Sequence, residues 1–158
     1  MYTCPVSTPA DLHAVLGDLV SVNHRLTRLA ASVTGSTESP AVWRTISVLR
    51  DFGPMRLGEL ARVSRVSQPT MTKLVHTLDE RGWIRRIADV SDARAWLISA
   101  DPRGLAALAA WREELAAALT PTFADLGDDE LATLADAVEI VRRRLERARA
   151  AATTGAVA

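Results

Sequence analysis

Cysteine is nearly missing from this chain. Cys4 stands alone, so no disulfide can form within it, and a reducing compartment is expected. Histidine is also scarce: His13, His24 and His76 are too scattered to share a metal site. The sequence holds no CxxC or HExxH spacing, no P-loop, no dinucleotide glycine pattern and no GxSxG. Neither catalysis, a metal nor a cofactor is therefore expected. The acidic run Asp128-Asp129-Glu130 reads as charge placed at a helix start rather than as an acid–base or metal cluster. No apolar run approaches the roughly 18–20 residues of a membrane span, and the N-terminus has no signal-peptide core, so a soluble cytoplasmic protein is expected. The net charge is zero, which does not by itself advertise nucleic acid, and no internal repeat is visible.

What is present is a one-domain length, 158 residues, with 48% apolar and 24% charged residues, ordinary for a globular protein. The charges are unevenly placed. From Arg56 to Arg103 nine Lys/Arg face six Asp/Glu, and from Gly104 onward six face nine. A basic centre between neutral or acidic arms suits a protein that turns one face to phosphate, although a difference this small carries little weight alone.

The organising stretch is Met55 to Gly104. Ser67 stands where an N-cap is needed, and Met71, Leu74, Val75 and Leu78 then recur at helical spacing. Opposite that stripe lie Pro69, Lys73 and His76, flanked by Thr70, Thr72 and Thr77, a small, polar, cationic face able to approach base edges. Gly82 ends the helix. Ahead of it, Leu57, Leu60 and Ala61 form a second apolar face, with Arg62 to Val66 as the corner of a helix-turn-helix. After it, residues 83–87 and 95–99 read as strands joined by a polar tip over 88–94, which makes a wing.

The flanks are helical. Leu12, Leu16, Leu19, Leu26, Leu29 and Val33 hold one stripe between about Pro9 and Val33, and the segment Thr34 to Thr37 breaks it. Ser39-Pro40 opens a helix carrying Trp43, Ile46 and Leu49, which Phe52-Gly53-Pro54 closes. Asp101-Pro102 opens another, with Leu105, Leu108, Trp111, Leu115 and Leu119, and Thr120-Pro121 must kink or stop it. A last helix follows Gly127, carrying Leu131, Leu134, Val138, Val141 and Leu145, with arginines from Arg142 to Arg149 near its end. Residues 1–8 and 151–158 lack periodic apolar positions and are expected to be poorly ordered. The fold class expected is mainly α with a small β-wing: a winged helix-turn-helix lobe over residues 39–101, flanked by helical arms at 9–33 and 102–150.

This pattern resembles the MarR family of bacterial transcription regulators. The residues that carry the likeness are Leu57-Gly58-Glu59-Leu60-Ala61, Ser67-Gln68-Pro69-Thr70-Met71-Thr72-Lys73-Leu74, Leu78-Asp79-Glu80-Arg81-Gly82, and Asp89-Val90-Ser91-Asp92-Ala93-Arg94. They cover about a third of the chain closely. The family pattern often has Pro where Val90 stands and Arg where Ala93 stands, which leaves one wing contact of that pattern without its residue. The resemblance implies a homodimer joined through the helical arms, binding double-stranded DNA at a pseudopalindromic operator, usually as a repressor. It also implies an effector, a small aromatic or anionic molecule, that changes the spacing of the two reading helices.

The DNA-binding residues expected are Ser67, Gln68, Pro69, Thr70, Thr72, Lys73, His76, Arg86, Asp92 and Arg94. Gln68 can pair with adenine, the threonines can meet bases, phosphates or thymine methyls, and Lys73 suits phosphate or guanine. By resemblance Arg94 enters the minor groove and Arg86, rather than Arg85, faces phosphate. Asp92 can pair with Arg94 or with a nearby backbone donor. Arg62, Arg65 and Arg81 read as solvated surface charge. Trp43, Trp111 and His24 are candidates to line an effector cleft but fit the core or the dimer seam better, and Trp83 and Trp96 read as packing at the wing root. The resemblance also makes Cys4 a candidate for a redox switch, though the sequence places no activating base near it. The competing reading is a winged domain used for protein contact, with no specific DNA binding.

Overall fold

The computed structural model of the chain describes residues 11–34 and 38–155, so Cys4, Pro9 and the break at 35–37 lie outside them. Helix α1 spans Leu12–Thr34. Asp11 opens it, accepting the His13 N–H on its carboxylate at 3.2 Å and the Val15 N–H on its carbonyl at 3.0 Å. Helix α2 spans Pro40–Phe52 and begins with proline in the first turn. Ser39 holds the cap position, but its side chain makes no capping bond; only its carbonyl is used, by the Val42 N–H. Gly53 closes α2 at φ 80°, ψ −170°, a conformation essentially reserved for glycine.

Helices α3 (Leu57–Ser64) and α4 (Gln68–Glu80) form the helix-turn-helix. The corner is tighter than the expected Arg62 to Val66, because α3 stays helical through Ser64. Arg65 makes the turn in the left-handed region (φ 55°, ψ 44°), and the Val66 N–H returns to the Ala61 carbonyl at 3.1 Å. Ser67 caps α4, its hydroxyl accepting the Thr70 N–H at 3.3 Å. Met71, Val75 and Leu78 point into the core beside Ile46, Leu49 and Leu60, with Leu74 packed at its edge. Burying such a side chain contributes roughly 1.5–3 kcal/mol. Past the end of α4, Gly82 takes φ 65° and the chain turns into the wing.

Strand β1 (Ile84–Asp89) pairs antiparallel with β2 (Asp92–Ala100). The first strand begins one residue later than the expected 83–87 and runs two residues further, and β2 outruns 95–99 at both ends, leaving only Val90 and Ser91 as the turn. Asp89 Oδ1 accepts both the N–H (2.9 Å) and the hydroxyl (2.6 Å) of Ser91, which closes the turn. The register jumps from Ala88 opposite Trp96 to Asp89 opposite Asp92, so residues 93–95 form a bulge between the two paired positions. At the other end, Met55 exchanges both backbone hydrogen bonds with Ile98 (3.1 and 2.8 Å), tying the approach to α3 onto β2.

Helix α5 (Pro102–Leu119) starts at Asp101, whose carboxylate accepts the Arg103 N–H at 3.0 Å. It lies against α1, where Ala30 is buried, and against α2. Trp43 stacks on Trp111 (centroids 5.0 Å apart, planes 12°) and on Trp83 (5.6 Å, 26°), so three indoles form one pile. Trp96 does not join them. It stands 59% exposed on the wing, opposite the exposed Ala88.

The described residues up to Leu119 form one compact unit and those from Thr120 onward another. In the second, a 3-10 turn at Thr120–Phe123 follows the proline break, and α6 spans Asp128–Gly155, past the expected fraying point at Ala151. Glu130 reaches back to accept the Gly127 N–H at 3.2 Å, half of a capping box. Among the described residues no helix is long and apolar enough to cross a membrane.

Candidate nucleic-acid interface

Helix α4 puts its apolar residues inward, so the opposite side must face out. Ser67, Gln68, Pro69, Thr70, Thr72, Lys73 and His76 are all exposed there. Several of their polar groups already have neighbours. The Ser67 and Thr70 hydroxyls lie 2.8 Å apart, and the Thr72 hydroxyl donates to the Gln68 carbonyl at 3.0 Å. Each hydroxyl still has lone pairs to offer a base or a bound water. His76 Nε2 lies 3.4 Å from Glu80, one turn on, which holds the ring along the helix rather than straight out. Lys73 is exposed and holds no salt bridge among the described residues.

The wing supplies the second part. Arg94 is exposed within the bulge. Asp92 takes the backbone option: Oδ1 accepts the Arg94 N–H at 3.1 Å and so sets the strand direction at that residue. Arg86 leans back toward α4, with Nε 3.4 Å from Asp79 Oδ2, in a pair half open to solvent. Arg85 is exposed and has no such tether among the described residues. Val90, at the turn, is fully exposed.

A group outside the expected set holds the wing in place. Arg56, the residue just before α3, donates Nε–H (3.0 Å) and Nη2–H (2.7 Å) to Asp89 Oδ2, and Nη2 lies 3.5 Å from Asp92 Oδ2. Hydrogen bonds from Ser91, then the Arg56 guanidinium, hold the Asp89 carboxyl down to about 2. Sequence reading missed this pair because its members lie 33 positions apart, with no spacing to connect them. The available signal was a carboxylate within the wing tip and an arginine beside a strand-forming Met.

Arg81 is not merely solvated. Nη1 lies 2.6 Å from Glu38, and the guanidinium sits 5.0 Å from the Trp83 ring centre, so it ties the two ends of the lobe together. Arg62 and Arg65 are exposed as expected. Trp43 and Trp111 belong to the stacked core, while His24 is exposed on α1. A shallow concavity along α1 is lined by Val22, Arg25, Leu26, Arg28, Leu29 and Ser32 and includes none of these three. Among the described residues no group of three His, Cys, Asp or Glu could hold a metal ion.

Compared with known proteins, residues 39–96 match the model of the MarR family. A probable transcriptional regulator from Pseudomonas aeruginosa is 30% identical, with 78% of this chain and 92% of that chain aligned at a TM-score of 0.52. A transcriptional regulator from Thermotoga maritima is 22% identical over 85% of this chain and 96% of its own, with a TM-score of 0.68. The apo form of wild-type MarR from E. coli is 20% identical over 85% and 98%, with a TM-score of 0.62. These last two likenesses are of fold. No curated protein matches significantly.

Proposed function

Because this chain belongs to the MarR family, we propose that it is a sequence-specific DNA-binding transcriptional regulator, a repressor acting in the cytoplasm on a pseudopalindromic operator. The observation that carries this reading is the shared exposure of the α4 outer side and Arg94 on the wing: a donor-rich helix face and a cationic arm, both open. In this reading Gln68, Thr70, Thr72 and Lys73 meet the major groove, with Ser67, Pro69 and His76 along its edge and Arg94 in the adjacent minor groove. Arg86 and Asp92 hold position, Arg86 through Asp79 and Asp92 through the Arg94 backbone.

Two copies are needed to read a two-fold site. The apolar residues left exposed on α1 (Leu12, Leu16, Leu19) and on α6 (Leu131, Leu134, Val138) support homodimerisation through the arms at 9–33 and 102–150. A dimer sets two α4 helices into major grooves about 34–36 Å apart. A small aromatic or anionic effector that favours another spacing would release the DNA by shifting that population.

The experiment is to select a duplex from random-sequence DNA with the wild-type protein and measure its affinity. Arg94→Ala should weaken binding by about 1–3 kcal/mol with helix content unchanged. Lys73→Ala should lower the salt dependence by about one ion. A protein that selects no two-fold sequence, or two variants that bind like wild type, would overturn the reading and favour a winged domain used for protein contact.

A further inference from the structure

Arg56 lies outside the expected DNA-facing set, yet it meets two carboxylates of the wing. Its backbone neighbour Met55 is locked to Ile98 of β2 by two hydrogen bonds, so the segment entering α3 is already fixed to the base of the wing. From that anchor the guanidinium reaches the opposite end of β1. Two N–H groups converge on one oxygen of Asp89, which is 8% exposed, while the other oxygen of Asp89 holds Ser91 in the turn. Nη2 is also 3.5 Å from Asp92, whose second oxygen holds the Arg94 backbone. A continuous chain of contacts therefore runs from the start of the helix-turn-helix, through two carboxylates, to the residue on the bulge. Residues 93–95 lie between the paired positions Asp92 and Trp96, where the register is interrupted, so the bond from Asp92 to the Arg94 amide bears directly on where Arg94 stands.

We propose that Arg56 is a positioning residue that, through Asp89 and Asp92, sets the reach and direction of Arg94 and so determines how strongly the protein prefers particular base pairs flanking its operator. This rests on the DNA-binding reading above. Arg56 would act without touching base edges. The helix-turn-helix and the wing then move as one body, and the minor-groove arm is held at fixed reach from the major-groove helix.

The test uses the full chain and the duplex selected by the wild-type protein, made with either A/T or G/C pairs at the wing-contacted flanks. Arg56→Met removes the donors and keeps the aliphatic stem. It should lower affinity for the A/T-flanked duplex by about five- to tenfold, the scale of one base-reading arginine contact, and erase most of the preference over the G/C version. The double variant Arg56→Met/Arg94→Ala should be no worse than Arg94→Ala alone, because both changes remove one effect. Asp89→Asn keeps an acceptor for Ser91 but loses the ion pair, so it should reproduce the loss and serves if Arg56→Met does not fold. In the free protein, Arg56→Met should speed hydrogen exchange at the Ser91 and Arg94 amides. The inference is overturned if the two arginine effects multiply, if flank preference persists in Arg56→Met or Asp89→Asn, or if Arg56→Met only lowers the salt dependence as a phosphate contact would. A wild-type protein that selects no sequence overturns the functional reading and this inference together. Normal wild-type selection with an unchanged Arg56→Met overturns this inference alone.

Discussion

Gly104, in the first turn of α5, has no room for a methyl group: a Cβ built there would sit 2.2 Å from the Trp83 carbonyl oxygen. That carbonyl also receives the Asp101 N–H at 2.9 Å, so it cannot move without loosening the helix start. Gly104→Ala should therefore destabilise the lobe by roughly 1–3 kcal/mol through overpacking, seen as a lower denaturant midpoint with DNA affinity per folded molecule unchanged. Asp89 gives a second test. Its carboxyl is held down to about 2 from 3.8, so its share of stability is complete above about pH 4 and is lost as pH falls toward about 2. The stability gap between wild type and Asp89→Asn should narrow over that window in acid unfolding curves, and a gap independent of pH would deny the pairing.

At the level of elements, the corner between α3 and α4 turns on Arg65, a residue with a side chain in the left-handed region. Its side chain is exposed, so Arg65→Gly should relieve backbone strain at little packing cost. A gain of about 0.5–1 kcal/mol is expected, read from thermal unfolding, whereas Arg65→Val should lose at least as much. The same elements show what the sequence could tell. Ser67, the spacing from Met71 to Leu78, and Gly82 state the limits of α4 through local chemistry alone. Gly53 and Asp101-Pro102 do the same for α2 and α5. The length of the wing strands is not legible in the sequence, because Asp89, Ser91 and Asp92 look like loop residues until Arg56, distant in sequence, meets the two carboxylates and Asp89 in turn holds Ser91. Ser39 carried the composition of a cap without its side-chain bond. The exposure of the outer α4 residues follows from the apolar stripe by simple opposition, and the tether on Arg86 does not, since it depends on β1 passing beside Asp79.

For the whole molecule, the exposed leucines of α1 and α6 ask for a partner. In the proposed homodimer, sedimentation should give a mass of two chains at micromolar concentration. Leu16→Lys or Leu134→Lys should shift it toward one chain and weaken binding to the two-fold duplex more than to a half-site. A concentration-independent single-chain mass for the unaltered protein would count against the assembly. The indoles carry a separate consequence. Three of the chain's four tryptophans are piled together around Trp43 while Trp96 stands alone in water on the wing. The protein thus contains its own pair of optical labels: a shielded cluster whose near-ultraviolet dichroism reports tertiary order, and one lone emitter, open to collisional quenchers, that reports what comes to rest against the wing.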